Sequence, residues 1–240
     1  MSQANGKTPP TVAILIPTHD AMPALTAYDL CTMYGHTIHS LPDGAMLGLT
    51  FSVGTYVHAA RWELLQSAWE ANATHICWID ADMRFPKDAL LRLMAHDKDV
   101  VGINYCTRGL PPRFVAIREI GVPGSNLLTS EDSTGLERTD AMGFGFLMMK
   151  TSALAKIPKD GKPWFWFDWL EDRRAMIGED VYFFQLLKDE GVECFVDHDL
   201  SKECRHIGGF EYGPQHVEAW HEKDLEYQPH QPAPLIEVVR

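Results

Sequence analysis

The chain is short of three things: cysteine, uninterrupted apolar sequence, and positive charge. Its five cysteines, Cys31, Cys77, Cys106, Cys194 and Cys204, make an odd set with no C-x-x-C pair. A disulfide framework is therefore excluded, and reduced, mostly buried thiols are expected. No apolar run reaches the roughly 18 residues that a membrane helix needs. The opening "MSQANGKTPP" also lacks the basic and then apolar layout of a secretory signal, so a cytoplasmic protein without a membrane span is expected. Lysine and arginine number 21 against 33 aspartate and glutamate, a formal net charge of -12. That balance disfavours a surface built to neutralise the phosphates of duplex nucleic acid, though it leaves room for a local basic groove. No internal repeat is visible.

What is present suits an ordinary globular domain: 240 residues, 45% hydrophobic and 22% charged. Residues 1–10 read as a tail, 11–224 as one catalytic-sized domain, and 225–240, "EYQPHQPAPLIEVVR" from Glu226 on, as a proline-rich extended tail. "TVAILIP" (11–17) is a β-branched run closed by Pro17, and "AMLGLTFSV" (45–53) is a second strand. A helix over about 55–72 carries Val57, Ala60, Leu64, Leu65, Ala68 and Trp69 on one face, leaving Arg61, Glu63 and Glu70 to look elsewhere. "HICWID" then reads as a strand, "KDALLRLMAH" as a helix entered through Pro86, and "DVVGINYC" (99–106) as a strand. Further strands are expected at 113–119, 144–150 and 192–197, with a short helix from Thr151 and a longer one in "GEDVYFFQLLKDEG" closed by Gly191. Alternating strands and helices with short connections argue for an α/β fold with a mostly parallel sheet and helices on both faces.

Three D-x-D pairs occur: Asp80/Asp82, Asp97/Asp99 and Asp197/Asp199. The middle pair lies in a polar turn before a strand, where solvated acids are the ordinary outcome. The other two follow apolar strands, and in open α/β sheets ligands bind beyond the carboxyl ends of the strands. Two carboxylates converging there repel unless a cation lies between them; hard divalent ions such as Mg²⁺ or Mn²⁺ prefer oxygen ligands and share sites with phosphates.

"PTHD" after the first strand, "CWIDADMRFP", "MGFGFLMMK", "GEDVYFF" and "CRHIGG" follow one another in an order that resembles the GT-A nucleotide-sugar glycosyltransferases, over roughly residues 11–210. The similarity is greatest to compact inverting members of the family-two type found in bacteria and phages. It implies a Rossmann-like GT-A fold and transfer of a sugar from a UDP- or GDP-linked donor to an acceptor hydroxyl. Pro17, Thr18 and Asp20 would line the base and ribose, with Arg61 near the nucleotide. Asp80, Ala81 and Asp82 would form the donor loop, with Asp82, His206 and Asp80 at a Mn²⁺ or Mg²⁺ ion. Gly143 and Gly145 would let the backbone approach the donor sugar. Asp180 would be the general base and Glu179 would help to hold the acceptor. The aromatic block 164–169, with Trp166 and Asp168, is the expected acceptor wall. Two other enzyme classes use comparable acids: haloacid-dehalogenase-type phosphatases, which place D-x-D near the chain start, and nucleotidyltransferases, which carry a glycine-rich basic segment where this chain has "PTHDAMPAL". A non-catalytic binding module is the remaining alternative.

Overall fold

The computed structural model describes residues 8–158, 163–171, 175–209 and 211–221; most of the two expected tails, including all of 225–240, lies outside them. In chain order the elements are β1 (Thr11–Thr18), α1 (Ala24–Ser40), β2 (Met46–Val53), α2 (Val57–Glu70), β3 (His75–Ile79), β4 (Met83–Arg84), α3 (Ala89–Ala95), β5 (Val100–Gly102), β6 (Leu136–Thr139), β7 (Phe146–Lys150) and α4 (Thr151–Leu154). Then follow β8 (Asp168–Leu170), β9 (Ala175–Ile177), α5 (Glu179–Asp189), β10 (Cys194–Asp197), α6 (His198–Glu203), β11 (Arg205–Ile207), β12 (Glu211–Tyr212) and α7 (Pro214–His221).

Seven strands form one sheet in the order β2-β1-β3-β7-β5-β10-β6. β2, β1 and β3 run parallel, as do β5 and β10; β7 lies antiparallel between β3 and β5, and β6 antiparallel on β10. Five strands therefore share one direction, and their carboxyl ends make one edge. This is the expected α/β class, a mostly parallel sheet of GT-A type.

Strand periodicity divides the core into two layers. Ala13, Leu15, Ile76, Trp78, Leu147 and Met149 face α2, α4 and α5, packing on Leu64, Leu65, Ala153, Phe183 and Phe184. Val12, Ile14, Ile16, Cys77, Ile79, Phe146 and Met148 face the opposite layer, with Leu30 and Met33 of α1, Leu90 and Leu93 of α3 and Leu200 of α6. Each such side chain fully removed from water contributes roughly 1.5–3 kcal/mol before entropy is set against it.

Among the described residues a second sheet, β12-β11-β4, and a two-stranded pair, β8-β9, are the other ladders. The strand expected at 113–119 is instead a run of isolated bridges, Cys106 to Phe114 and Ile117 to both Asn126 and Ala141. Its backbone is divided between partners, which a segment in a turn-rich region can do and a ladder strand cannot. All five cysteines are free, four of them buried. Among the described residues no helix is long and apolar enough to cross a membrane.

Candidate active site at the carboxyl edge of the sheet

β3 ends at Ile79, and the chain turns at once: the Asp80 N–H donates to the Gly145 carbonyl (3.0 Å) and the Met83 N–H to the Asp80 carbonyl (3.3 Å). Asp80 and Asp82 thus straddle a tight turn and point to different partners. Asp80 Oδ1 receives Arg61 Nη2 at 3.1 Å, while Asp82 Oδ1 lies 3.3 Å from His206 Nε2 and its Oδ2 lies 2.8 Å from Arg108 Nη1.

Backbone pairing brings His206 to Asp82. β11 runs antiparallel to β4 with His206 opposite Met83, and the Ile207 N–H donates to the Asp82 carbonyl at 2.8 Å. The imidazole is oriented from behind, because Nδ1 lies 2.8 Å from the Cys106 carbonyl. A carbonyl only accepts, so Nδ1 carries the proton, and Nε2 is left facing a carboxylate. That meeting of a lone pair with an anion is satisfied by a proton or by a metal cation between them. Burial pushes the Asp82 carboxyl up, but the hydrogen bond and charge of His206 and the charge of Arg108 outweigh it and hold it below the usual carboxylate value.

Arg61 was expected near the nucleotide on an outward face of α2; it is instead turned inward and only 4% exposed. Its guanidinium lies over the rings of Phe144 (4.3 Å) and Trp78 (5.9 Å) and spans from Asp80 to Glu179, whose Oε1 is 3.5 Å from Nε. The Nε contact is an ion pair without hydrogen-bond alignment, and Nη1 is buried without a partner. The physical reason for the inward turn is charge: two half-buried carboxylates from distant segments require a counter-ion that the neighbouring aromatic faces also accept. This contact also removes Asp80 from the Asp82–His206 pair, so the three residues expected at one ion do not cluster. Among the described residues no group of three or more acidic, histidine or cysteine side chains is arranged to hold a metal.

Glu179 and Asp180 open α5, where the helix dipole favours acids. Burial, then their mutual charge and that of Asp80, pushes Glu179 up despite Arg61; burial likewise raises Asp180, against the Val181 N–H that its Oδ1 accepts at 2.8 Å.

Gly143 and Gly145 are buried beside Asp80, but the room that they leave is filled from within the protein. A Cβ at Gly143 would overlap the Tyr105 hydroxyl oxygen, and one at Gly145 would lie 2.6 Å from the same ring. Their small size therefore seats Tyr105, not a ligand. Burial and the charges of Asp80 and Asp180 raise that phenol well above its ordinary value, so it stands neutral among the acids; its ring meets His206 edge-on at 5.2 Å. Tyr105 and Arg108 were not singled out in the sequence. Tyr105 could have been, as a polar residue just past the carboxyl end of an apolar strand, whereas nothing marks Arg108 in its proline- and glycine-rich loop.

Pro17 and Thr18 end β1 at this edge, where the Gly54 N–H donates to the Thr18 carbonyl at 3.0 Å. Asp20 lies beyond, exposed, 3.4 Å from His19. Ala81 is half-buried in the turn between the two aspartates. Trp164 and Phe165 are buried, while Trp166, Phe167 and Trp169 are exposed around the half-buried Asp168.

No family profile and no curated protein sequence matches the chain. Solved structures do. The fold is similar to A197 from STIV, at a TM-score of 0.58 and 17% identity over 86% of this chain and 91% of that one. It is also similar to GalNAc-T7 with UDP, GalNAc and Mn²⁺, at 0.52 and 10% identity over 83% of this chain. The chain spans 43% of that structure's length. At such identities the likeness is one of fold.

Proposed function

We propose that the protein is a metal-dependent glycosyltransferase that moves a sugar from a nucleoside-diphosphate donor to an acceptor hydroxyl with inversion. The observation that carries this reading is the convergence of Asp80, Asp82, Glu179, Asp180 and His206 from three separate segments onto the carboxyl edge of one sheet, with Arg61 of α2 joining Asp80 to Glu179. The fold is shared with a structure that holds UDP, GalNAc and Mn²⁺, which supports the donor class.

Asp82 Oδ1 and His206 Nε2 would hold Mn²⁺ or Mg²⁺, one oxygen and one imidazole nitrogen being a fitting start for an ion that completes its shell with diphosphate oxygens and water. Such an ion supplies Lewis-acid stabilisation of charge on the departing diphosphate. Arg108, already reaching Asp82 from an exposed loop, presents further donors to the same phosphates. Pro17, Thr18 and Asp20 border the nucleoside end. Arg61 acts from beneath the site, holding Asp80 and Glu179 in register. Asp180 takes the proton of the acceptor hydroxyl as its oxygen attacks the anomeric carbon, and the bond from that carbon to the diphosphate breaks on the opposite side. Its raised pKa makes it a better base than an ordinary aspartate once it is ionised, and Tyr105, neutral beside it, adds no competing charge.

Incubation with Mn²⁺ and a panel of UDP- and GDP-sugars tests the reading through slow donor hydrolysis. Hydrolysis dependent on the metal supports it; cleavage of simple phosphate esters with no turnover of any nucleotide sugar overturns it in favour of a phosphatase. Asp180→Asn should keep nucleotide binding and lose roughly 10²–10⁴-fold in transfer, the usual span for a general base.

A further inference from the structure

The exposed aromatic residues are concentrated. Among the described residues the exposed Phe, Trp and Tyr side chains are Tyr28, Phe51, Tyr56, Trp62, Trp166, Phe167 and Trp169, and all but the first lie in two segments, 51–62 and 166–169. The structure joins those segments: Phe167 meets His58 edge-on at 5.4 Å, and His58 meets Tyr56 at 5.8 Å.

This surface is displayed on a rigid base. Trp164 is buried and its Nε1 donates to the Pro158 carbonyl at 3.0 Å, and Phe165 stacks in parallel on Phe183 at 5.0 Å and 7°. Phe183 lies on α5 three residues after Asp180. The β8–β9 ladder pairs Asp168 with Ile177 and Trp169 with Met176, which ends the ladder two residues short of Glu179. From the other side, His58 lies three residues before Arg61 on α2, so one helix flank touches both Phe167 and Glu179.

We infer that Tyr56, Phe167, Trp169 and Met176 form a subsite that binds a neutral oligosaccharide acceptor, its apolar ring faces stacked on the aromatic side chains and one hydroxyl directed to Asp180. The inference rests on the glycosyltransferase reading for the last clause alone. Flat exposed rings suit the apolar C–H faces of pyranoses, whose hydroxyls project around the rim and stay free to meet polar neighbours. Tyr56 is 69% and Trp169 49% exposed, so the surface is accessible and largely open. The exposed rings themselves carry no charge, and a net charge of -12 weighs against a polyanionic acceptor.

The test is tryptophan fluorescence during titration of the whole chain, without donor or metal, with short neutral gluco-, manno- and N-acetylglucosamine-based oligosaccharides, and separately with phosphatidylglycerol vesicles. A saturable change with at least one oligosaccharide series is expected, weakened about tenfold, ~1.4 kcal/mol, in Trp169→Ala and in Tyr56→Ala, with unchanged far-ultraviolet circular dichroism. Tyr56→Ala leaves the tryptophans in place and keeps the readout if Trp169→Ala fails to fold. Binding to the vesicles instead, self-association that hides the signal, or no response to any neutral oligosaccharide overturns the subsite. Because no donor is present, a chain that binds oligosaccharide yet turns over no nucleotide sugar keeps the subsite and loses the transferase reading, and the reverse result does the opposite.

Discussion

Asp80/Asp82 and Asp197/Asp199 have the same spacing, follow apolar strands and stand at the same edge of the same sheet, yet they are used differently. Asp197 accepts the Leu200 N–H at 2.9 Å on one oxygen and meets His96 Nε2 at 2.9 Å with the other, capping α6. Asp199 accepts the Gly135 N–H at 2.8 Å and pairs with Lys202 at 3.1 Å. Each of these carboxylates gives one oxygen to a backbone N–H, which the fold cannot exchange without unravelling a helix start or a loop, and only the other to a side chain. Asp80 and Asp82 are instead met by charged or titratable side chains, Arg61, Arg108 and His206, drawn from three distant segments. Those partners can be traded for a ligand's charge. What separates a structural D-x-D from a candidate binding one is therefore the exchangeability of its partners, not its spacing or its place on the strand.

Exchanging one residue in each pair should break the comparison most sharply. Asp82→Asn is expected to weaken metal-dependent nucleoside-diphosphate binding by roughly 100-fold or more, as loss of a ligand should exceed the 10–100-fold typical of its supporting partners, with little change in melting. Asp197→Ala, which removes the oxygen that accepts the Leu200 N–H, should leave that binding intact and lower stability by about 0.5–2 kcal/mol, the range for a lost helix cap. Isothermal titration and thermal melting on both variants decide it; equal losses of binding would erase the distinction.

The pH profile sharpens the same contrast. Burial raises Asp180, while Asp82 is held low by His206 and Arg108 despite its own burial. If Asp180 is the base, transfer requires its ionised form, so the rate falls as pH drops through a value above the ordinary ~3.9 of aspartate, by about tenfold per unit below it. Metal affinity itself falls as protons compete for the ligands, so the comparison is made at saturating Mn²⁺, where metal-dependent nucleotide binding should persist at pH values at which transfer has already declined. Transfer and binding that fail together on the acid side would assign the limb to the metal ligands instead.

Much of this arrangement was legible because it rests on local pattern. Apolar runs closed by acids marked β3 and β10, and Glu179–Asp180 before a helical stripe marked the start of α5. What escaped was set by tertiary partners. α1 was passed over because its buried face includes Thr26, Asp29 and Thr37 among Leu30 and Met33, which breaks the apolar stripe. The antiparallel entry of β7 follows from its neighbours and has no mark in "FGFLMMK". Arg61 looked like a surface residue because helical periodicity cannot show that two remote carboxylates await it, and Gly143 and Gly145 looked like ligand space because Tyr105, which fills it, lies about forty residues away in sequence.

The smallest effect is expected at Asp199. Its side chain is half exposed, and its carboxyl is held low first by the Gly135 N–H and then by Lys202. Asparagine keeps a carbonyl oxygen that can accept from Gly135 and loses only the attraction to Lys202, and an exposed i,i+3 pair of this kind contributes about 0.5 kcal/mol or less. Asp199→Asn should therefore melt within a degree or two of the parent and bind nucleotide as the parent does. A large loss of metal-dependent binding in this variant would mean that the second D-x-D reaches the ligand after all, and that fixed backbone partners do not by themselves disqualify a carboxylate from the site.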